Sequence, residues 1–211
     1  MRDNVSDADN QQETLRVRGS SETIRRAPFT KRQELKAYLF GAMHDGWIRQ
    51  SDHRYRIAQK GTELLKVIQK SLHEIGYRSW IYQEGKDRDV FIRESVAPIF
   101  REHFDPYTLV SKDQKIAYIK GFFDAEGGIP KNLTAKRYIQ LVQKDFKKIL
   151  LLKTMLAQLG IQTGKIHNPS KRVDPNYWRI FVSRNSISRF VSKNGSWHPR
   201  KQAIFNEWMM I

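Results

Sequence analysis

Residues 37–46 read Ala-Tyr-Leu-Phe-Gly-Ala-Met-His-Asp-Gly, and residues 117–127 read Ala-Tyr-Ile-Lys-Gly-Phe-Phe-Asp-Ala-Glu-Gly. Each stretch is an apolar run with a glycine inside it, and each ends in an acid followed by glycine. The pattern predicts two similar helices, each with a carboxylate at its end. Because both acids occupy the same place in a repeated stretch, we expect the two carboxylates to meet at one site.

The similarity between the two parts of the chain continues beyond these motifs. Arg-Tyr-Arg-Ile-Ala-Gln-Lys at 54–60 corresponds to Arg-Tyr-Ile-Gln-Leu-Val-Gln-Lys at 137–144. In each part, 17 positions separate the last glutamine of this stretch from a later glycine, Gly76 or Gly160. A repeat of this length predicts two similar supersecondary units that pack with pseudo-twofold symmetry.

Apolar spacing and turn residues predict the order of elements within each unit. The first unit reads as helix, two strands, helix, two strands, helix, over residues 31–44, 47–50, 54–59, 62–75, 77–83, 89–93 and 96–104. The second unit repeats this order with helices at 113–126, 145–159 and 185–193, strands at 137–143, 161–167 and 176–183, a weak strand near 128–134, and a last helix after residue 198. The predicted fold class is therefore α+β.

Residues 1–28 have no sustained apolar period and are predicted to form a disordered arm. The predicted units then cover residues 29–108 and 109–211.

The charge of the chain indicates a polyanionic partner. The formal net charge is +16 in 211 residues, and residues 111–211 hold 19 basic but only 6 acidic side chains. There is no cysteine, which excludes disulfides and favours a reducing intracellular compartment, either cytoplasm or an organelle matrix. The start is polar and no apolar run approaches about 20 residues, so we expect neither a secretory signal nor a membrane span.

The two motifs, the matching Gln-Lys strand ends and the repeated element order resemble the LAGLIDADG homing endonucleases, in the single-chain form that carries both motifs. The resemblance covers residues 31–211. It implies motif helices packed at the centre and two antiparallel four-stranded sheets that form a saddle over the DNA major groove. It also implies a monomer that cuts both strands of DNA across the minor groove at a long asymmetric target site, leaving short 3′ overhangs.

By this resemblance, Asp45 and Glu126 are the ligands of Mg²⁺ at the scissile phosphates, with Mn²⁺ or Ca²⁺ able to replace it for binding. One carboxylate from each half, together with phosphate oxygens, suffices because Mg²⁺ keeps several waters. The alternative is that both acids simply face water. An acid at a helix C-terminus opposes the helix dipole, which favours the metal-binding interpretation. Asp124 points away from Glu126 and is predicted to be either a structural cap or an interface residue.

The first motif is one residue shorter than the second. Gly41 lies four residues before Asp45, whereas Gly121 lies five before Glu126. One residue corresponds to about 100° of helix rotation. We therefore expect either a shifted small-residue contact in the first helix or a tightened last turn.

Further site residues are predicted with alternatives left open. The resemblance implies that Gln59 and Gln143 order water near the metal; a polar strand end is the alternative. Lys112 and Arg200 are candidates for stabilising the pentavalent phosphate, with Lys201 equally acceptable in the second half. Strand alternation predicts DNA contacts from Arg49, Arg54, Arg56, Trp80, Tyr82, Arg93, Tyr138, Gln140, Lys165, His167, Arg179 and Ser183. For any one of these, a phosphate contact or a solvated face is the alternative.

Three functions are consistent with this pattern. The first is a sequence-specific DNA endonuclease. The second is a binding module that has lost cleavage and assists the folding of an intron RNA. The third is a basic transcription regulator on the same scaffold. An acid retained in both motifs favours the nuclease.

Overall fold

The computed structural model describes residues 32–49, 51–101 and 104–210. The predicted arm, residues 1–28, lies outside the described residues. Within them, none of the helices has the length and apolar character needed to cross a membrane.

The first half contains two helices and one sheet. Its elements are α1 (Arg32–Ala42), a 3-10 turn (Met43–Asp45), β1 (Gly46–Arg49), β2 (Arg54–Gln59), α2 (Glu63–Glu74), β3 (Ser79–Gln83) and β4 (Phe91–Ser95), followed by 3-10 turns at Pro98–Arg101 and Pro106–Thr108. The four strands form an antiparallel sheet in the order β1-β2-β4-β3. Val96–Phe104 was predicted to be a helix, but the described part of it holds only the 3-10 turn at Pro98–Arg101.

The second half repeats this arrangement with more helix and less sheet. Its elements are α3 (Lys112–Glu126), β5 (Gly127–Gly128), β6 (Gln140–Gln143), α4 (Phe146–Gln158), β7 (Trp178–Phe181), a 3-10 turn (Arg184–Ser186), α5 (Ile187–Lys193) and α6 (Pro199–Met210). The sheet order is β5-β6-β7. In place of a fourth strand at 161–167, Thr163 and His167 form isolated bridges to Val182 and Arg179. The architecture is α+β with two similar halves, as the sequence predicts.

Local sequence explains where the central helices begin and end. Ser111 and Gln114 form a capping box at the start of α3, and the Asp145 carboxylate accepts from two backbone N–H groups at the start of α4. Shortly after α2 and α4 the chain reaches Gly76 at φ +88° and Gly160 at φ +72°, a region that other residues rarely adopt.

The two motif helices pack against each other through their glycines. A Cβ atom on Gly41 would lie 2.1 Å from the carbonyl oxygen of Tyr118, and one on Gly121 would lie 2.0 Å from that of Tyr38. Each glycine thus faces the carbonyl that lies three residues before the other glycine. The contact is symmetric, so the first helix is not shifted in the interface.

Two tyrosine hydroxyls bridge the same interface with the same symmetry. Tyr38, three residues before Gly41, donates to the Asp124 carboxylate at 2.9 Å. Tyr118, three residues before Gly121, bonds to His44 Nε2 at 2.7 Å. His44 therefore occupies the place that Asp124 has in the other half. The first motif can be one residue shorter because its last turn, Met43–Asp45, is a tight 3-10 turn. Of the two expected outcomes for the short motif, the tightened last turn is confirmed.

We predict that Gly41→Ala or Gly121→Ala destabilises the chain by about 2–4 kcal/mol, because a methyl group at either position forces the two backbones apart. The control is Gly164→Ala. A Cβ there has its nearest neighbour at 3.8 Å, the carbonyl oxygen of Phe181. It should stay within about 0.5 kcal/mol of the parent chain. Urea denaturation measures all three, and equal stability of the interface and control variants would contradict the glycine contact.

Candidate active site and nucleic-acid interface

Glu126 ends α3 as a half-buried carboxylate. Burial raises its pKa, and the positive charges of Lys201 and Lys144 only partly oppose that rise. Among the described residues, neither a hydrogen bond nor an ion pair engages its oxygens. A desolvated carboxylate without a partner is an arrangement that a bound cation would stabilise.

Asp45 ends the 3-10 turn that follows α1, and its side chain lies outside the described part of the structure. The ends of α1 and α3 nevertheless face the same segment. Lys144 acts electrostatically on Glu126, and Lys148, four residues later, acts on His44 next to Asp45. The C-terminal ends of both motif helices therefore lie at the same end of the helix pair.

Lys201 is buried against the end of α3. Its ammonium donates to the carbonyls of Phe123 at 2.6 Å, Asp124 at 3.0 Å and Gly127 at 2.7 Å. The Asp124 carbonyl belongs to the last turn, whose carbonyls lack a partner within the helix, whereas the Phe123 carbonyl also accepts from the backbone N–H of Gly127. A cation there also complements the helix dipole. Arg200, by contrast, is exposed. Of the two cations considered in this half, Lys201 is the one held beside Glu126.

The end of α1 is held by a different group. The Tyr55 hydroxyl donates to the carbonyl of Met43 at 2.9 Å, and its ring stacks on Phe100 with centroids 4.2 Å apart. The end of the first motif therefore accepts a hydrogen bond from a neutral phenol, whereas the end of the second accepts hydrogen bonds from an ammonium group. Sequence reasoning found neither support.

Asp124 is an interface residue, as predicted. Its carboxylate is 1% exposed and accepts from Tyr38 Oη, Ser196 Oγ and the backbone N–H of Trp197. It thereby ties the segment before α6 to both motif helices. This leaves no position for Asp124 in metal binding.

Lys112 lies at the wrong end of α3 for the predicted role. It is the first residue of this 15-residue helix and Glu126 is the last. At a rise of 1.5 Å per residue, about 21 Å separates their backbones. Lys112 matched Arg200 only in local sequence, and the helix axis separates it from the carboxylate end.

Gln59 and Gln143 end β2 and β6 as half-buried side chains. The side-chain Oε1 of Gln143 accepts from the backbone N–H groups of Lys144 at 2.7 Å and Asp145 at 3.3 Å. It therefore supports the turn that leads into α4. A role for these glutamines in ordering water stays a prediction.

One face of the first sheet carries five of the six first-half residues predicted to contact DNA. The register pairs Trp47 with Arg56, Arg56 with Glu94, and Glu94 with Trp80. Alternation along the strands adds Arg49, Arg54 and Tyr82 to the same face. We call these seven residues the first-half strand face. Trp47 and Glu94 belong to it but were missed from the sequence, Glu94 because the register of β4 was placed one residue off.

Arg93 was predicted to contact DNA, and this prediction is wrong. It pairs with Ile57 and Ile81 on the core side of the sheet and is 0% exposed. A one-residue error in register moves every side chain of a strand to the other face. The guanidinium lies 5.6 Å from the Tyr55 ring centroid and 5.5 Å from that of Phe100, and burial lowers its pKa to about 10.

The second sheet presents a smaller and more basic face. The register pairs Gln140 with Phe181, and Arg179 with both Val142 and His167. The His167 ring stacks on Phe181 with centroids 5.8 Å apart. A shallow concavity of about 580 Å³ is lined by Lys136, Arg137, Tyr138, Gln140, Arg179 and Phe181. Lys165 is exposed beside this face and Ser183 lies just beyond the end of β7.

The described side chains fit a metal site built from few protein ligands. Among them, no group of three or more histidine, cysteine or acidic residues comes together. A carboxylate at each helix end is compatible with Mg²⁺, which prefers oxygen ligands and keeps its waters. The described residues do not supply enough ligands for a metal site in which protein side chains fill every coordination position.

Comparisons with known proteins agree with this geometry. The model of the LAGLIDADG-like domain matches residues 113–195. The chain is 25% identical over 193 residues to the homing endonuclease I-ApeI of Aeropyrum pernix, a match that covers 81% of this chain and 85% of that protein.

Several solved structures share the fold. I-DmoI in complex with DNA and Mn has a TM-score of 0.58 and 20% identity, over 78% of this chain and 98% of that chain. I-DmoI with DNA and Ca has a TM-score of 0.60 and 20% identity, over 83% and 98%. Full-length DUF199/WhiA from Thermatoga maritima has a TM-score of 0.65 and 15% identity, over 88% of this chain and 62% of that chain. The predicted resemblance and fold class are confirmed.

We predict that Lys201→Met destabilises the chain by about 2–5 kcal/mol, because it removes the buried ammonium that donates to the carbonyls of Asp124 and Gly127 and shares that of Phe123 with the Gly127 N–H. The control is Arg200→Met, which removes the same charge from an exposed neighbour and should change stability by less than about 0.5 kcal/mol. Thermal and urea unfolding of both variants measure this difference. Similar effects of the two substitutions would contradict the support role of Lys201.

The burial of His44 predicts a pH dependence of stability. Burial, aided by Lys148, lowers the pKa of His44 from 6.5 to about 4. Between these values the unfolded chain binds the proton and the folded chain does not. His44 therefore contributes up to about 3 kcal/mol that is lost as pH falls from about 6.5 to about 4.

The free energy of unfolding, measured from pH 7 to pH 4, tests this prediction. His44→Gln should flatten the decline relative to the parent chain, whereas His73→Gln, at an exposed position of α2, should preserve it. A decline that is equally steep in all three proteins would show that His44 does not take up the proton.

Proposed function

We propose that this chain, a homologue of the LAGLIDADG homing endonucleases, is a divalent-metal-dependent endonuclease that cuts both strands of double-stranded DNA at a long asymmetric site. One observation carries the proposal. The motif helices cross at facing glycines, so that two helix ends bearing acids point the same way, and the described carboxylate among them, Glu126, is desolvated and unpaired.

In this proposal Asp45 and Glu126 hold divalent cations, which supply an activated water and neutralise charge on the leaving oxygen. Mg²⁺ is the proposed ion. The solved complexes of I-DmoI with DNA and Mn or Ca support a divalent site, with Mn²⁺ or Ca²⁺ able to replace Mg²⁺ for binding. Lys201 fixes the backbone that carries Glu126, and Lys144 adds positive charge where a phosphate would approach.

The strand faces are the proposed DNA-binding surface. The net charge of +16 favours a polyanion. Arginines on the first-half strand face, and Gln140 and Arg179 on the second sheet, match the donors and acceptors of base edges in the major groove. Cleavage across the minor groove with short 3′ overhangs, and action as a monomer with both motifs in one chain, are part of the same proposal.

A non-cleaving role is the second candidate, and one observation favours it. The fold is closer to DUF199/WhiA, at a TM-score of 0.65, than to I-DmoI in complex with DNA and Mn, at 0.58. The scaffold alone therefore does not establish cleavage. The acids at both helix ends favour the nuclease, and linearisation of a plasmid separates the candidates.

The experiment uses a plasmid that carries the rejoined flanks of the gene that encodes this chain, incubated with Mg²⁺. Glu126→Gln and Asp45→Asn should each reduce double-strand cleavage at least about 100-fold, because several kcal/mol of charge stabilisation are lost. Binding in Ca²⁺ should persist. Asp113→Asn removes the same charge from an exposed position at the start of α3 and should cut normally.

Normal cleavage of both strands by either motif variant would overturn the site assignment. A parent chain that binds this DNA, or the intron RNA, but never linearises the plasmid would support the non-cleaving role instead.

A further inference from the structure

A buried carboxylate lies in the middle of the first-half strand face. Glu94 occupies β4, and its side chain is only 3% exposed although the face on which it lies is open. Across the sheet it stands in the row Trp47, Arg56, Glu94, Trp80, in which the tryptophans are 46% and 37% exposed. A charged residue almost never becomes this buried unless it is paired.

Three donors surround Glu94. Tyr82 Oη donates to Oε1 at 2.8 Å, Arg56 Nε donates to the same oxygen, and Arg54 Nη1 donates to Oε2 at 3.2 Å. Burial alone would raise the pKa of Glu94, but these hydrogen bonds lower it below the usual value. Glu94 is therefore an ionised, fixed acceptor at neutral pH.

This acceptor constrains the two arginines differently. Arg54 is divided between two acids, because its Nε also pairs with Asp52 at 3.1 Å. Arg56 is held along one edge only, with Nε on Glu94 and Nη2 on the Tyr82 hydroxyl. Among the described residues, no partner engages Arg56 Nη1, and the Arg56 side chain is 19% exposed.

The second sheet offers a contrast. Arg179 there donates from Nη2 to the Tyr177 hydroxyl at 3.1 Å, and among the described residues no carboxylate pairs with it. The guanidinium of an arginine that no carboxylate holds can reorient toward a phosphate. An arginine anchored along one edge presents the other edge in a fixed direction, which suits a planar partner with two acceptors.

We propose that Glu94 and Tyr82 are positioning residues that present the outer edge of Arg56, formed by Nη1 and the second N–H of Nη2, to O6 and N7 of a guanine in the major groove. This inference rests on the proposed function, since it assumes that the first-half strand face meets DNA. It makes Glu94 a determinant of sequence specificity although an acid should weaken DNA binding. Guanine is the base that displays two acceptors to such a fork.

The test selects duplexes from a randomised pool at constant salt in Ca²⁺, so that binding is read without cutting. The parent chain should prefer guanine about 5- to 150-fold at one position of the half-site bound by the first half. Arg56→Lys keeps the charge but loses the fork, so this preference should vanish while other positions are unchanged. Tyr82→Phe should weaken it without abolishing it.

Glu94→Gln distinguishes a positioning role from a purely structural one, because a positioning role predicts opposite changes in overall affinity and in guanine preference. With one negative charge fewer on the binding face, overall affinity should rise about two- to ten-fold at low salt. The guanine preference should nevertheless fall at least about five-fold, because Arg56 is no longer anchored. The matched control is Glu84→Gln, which removes the same charge from an exposed pair with Arg88 and should leave the preference intact.

Other outcomes overturn the inference. A guanine preference that survives both Arg56→Lys and Glu94→Gln would show that another residue reads the base. Affinity and preference falling together in Glu94→Gln, with a lowered Tm, would show that Glu94 only stabilises the sheet. If the parent chain binds duplexes with no preference at any position, this inference fails. Plasmid linearisation, measured separately, then decides whether the proposed function fails as well.

Discussion

The approach of Gly41 to Gly121 is the constraint on which the rest of the structure depends. With the opposing carbonyl oxygens about 2 Å from where a Cβ would lie, only glycine fits at either position. The two backbones can then touch, and both halves bury their apolar residues around that seam. The Tyr38–Asp124 and Tyr118–His44 hydrogen bonds fix the rotation of each helix relative to the other. The position of the two helix ends follows from these contacts.

The pseudo-twofold symmetry is strict at this seam and is lost away from it. The end of α1 rests on the Tyr55 hydroxyl, and the end of α3 rests on the Lys201 ammonium. The first-half strand face pairs its arginines with Asp52 and Glu94, whereas no carboxylate within the described part of the chain pairs with Arg179 in the second half. An asymmetric target site is what two such different faces would select.

The features that the two halves share could be predicted from the sequence. The motif helices and the fold class follow from local pattern and from comparison of the two halves, and that comparison also gave the tightened turn that ends in Asp45 as one of two alternatives. Long-range register was not accessible in this way. Arg93 and Glu94 are adjacent in sequence, and only strand pairing decides which of them faces the core. Lys112 and Lys201 show the same limit, because local sequence does not say which end of a helix a cation will approach.

The most direct test of this account is the distance between the two helix ends. The chain has no cysteine, so nitroxide labels can be attached at Asp45→Cys and Glu126→Cys without other changes. Packed helices lie about 8–10 Å apart, so the two spins should lie within about 20 Å of each other. The account predicts strong dipolar broadening of the continuous-wave EPR spectrum relative to the sum of the singly labelled proteins. A spectrum equal to that sum would contradict a shared site at the end of the motif helices.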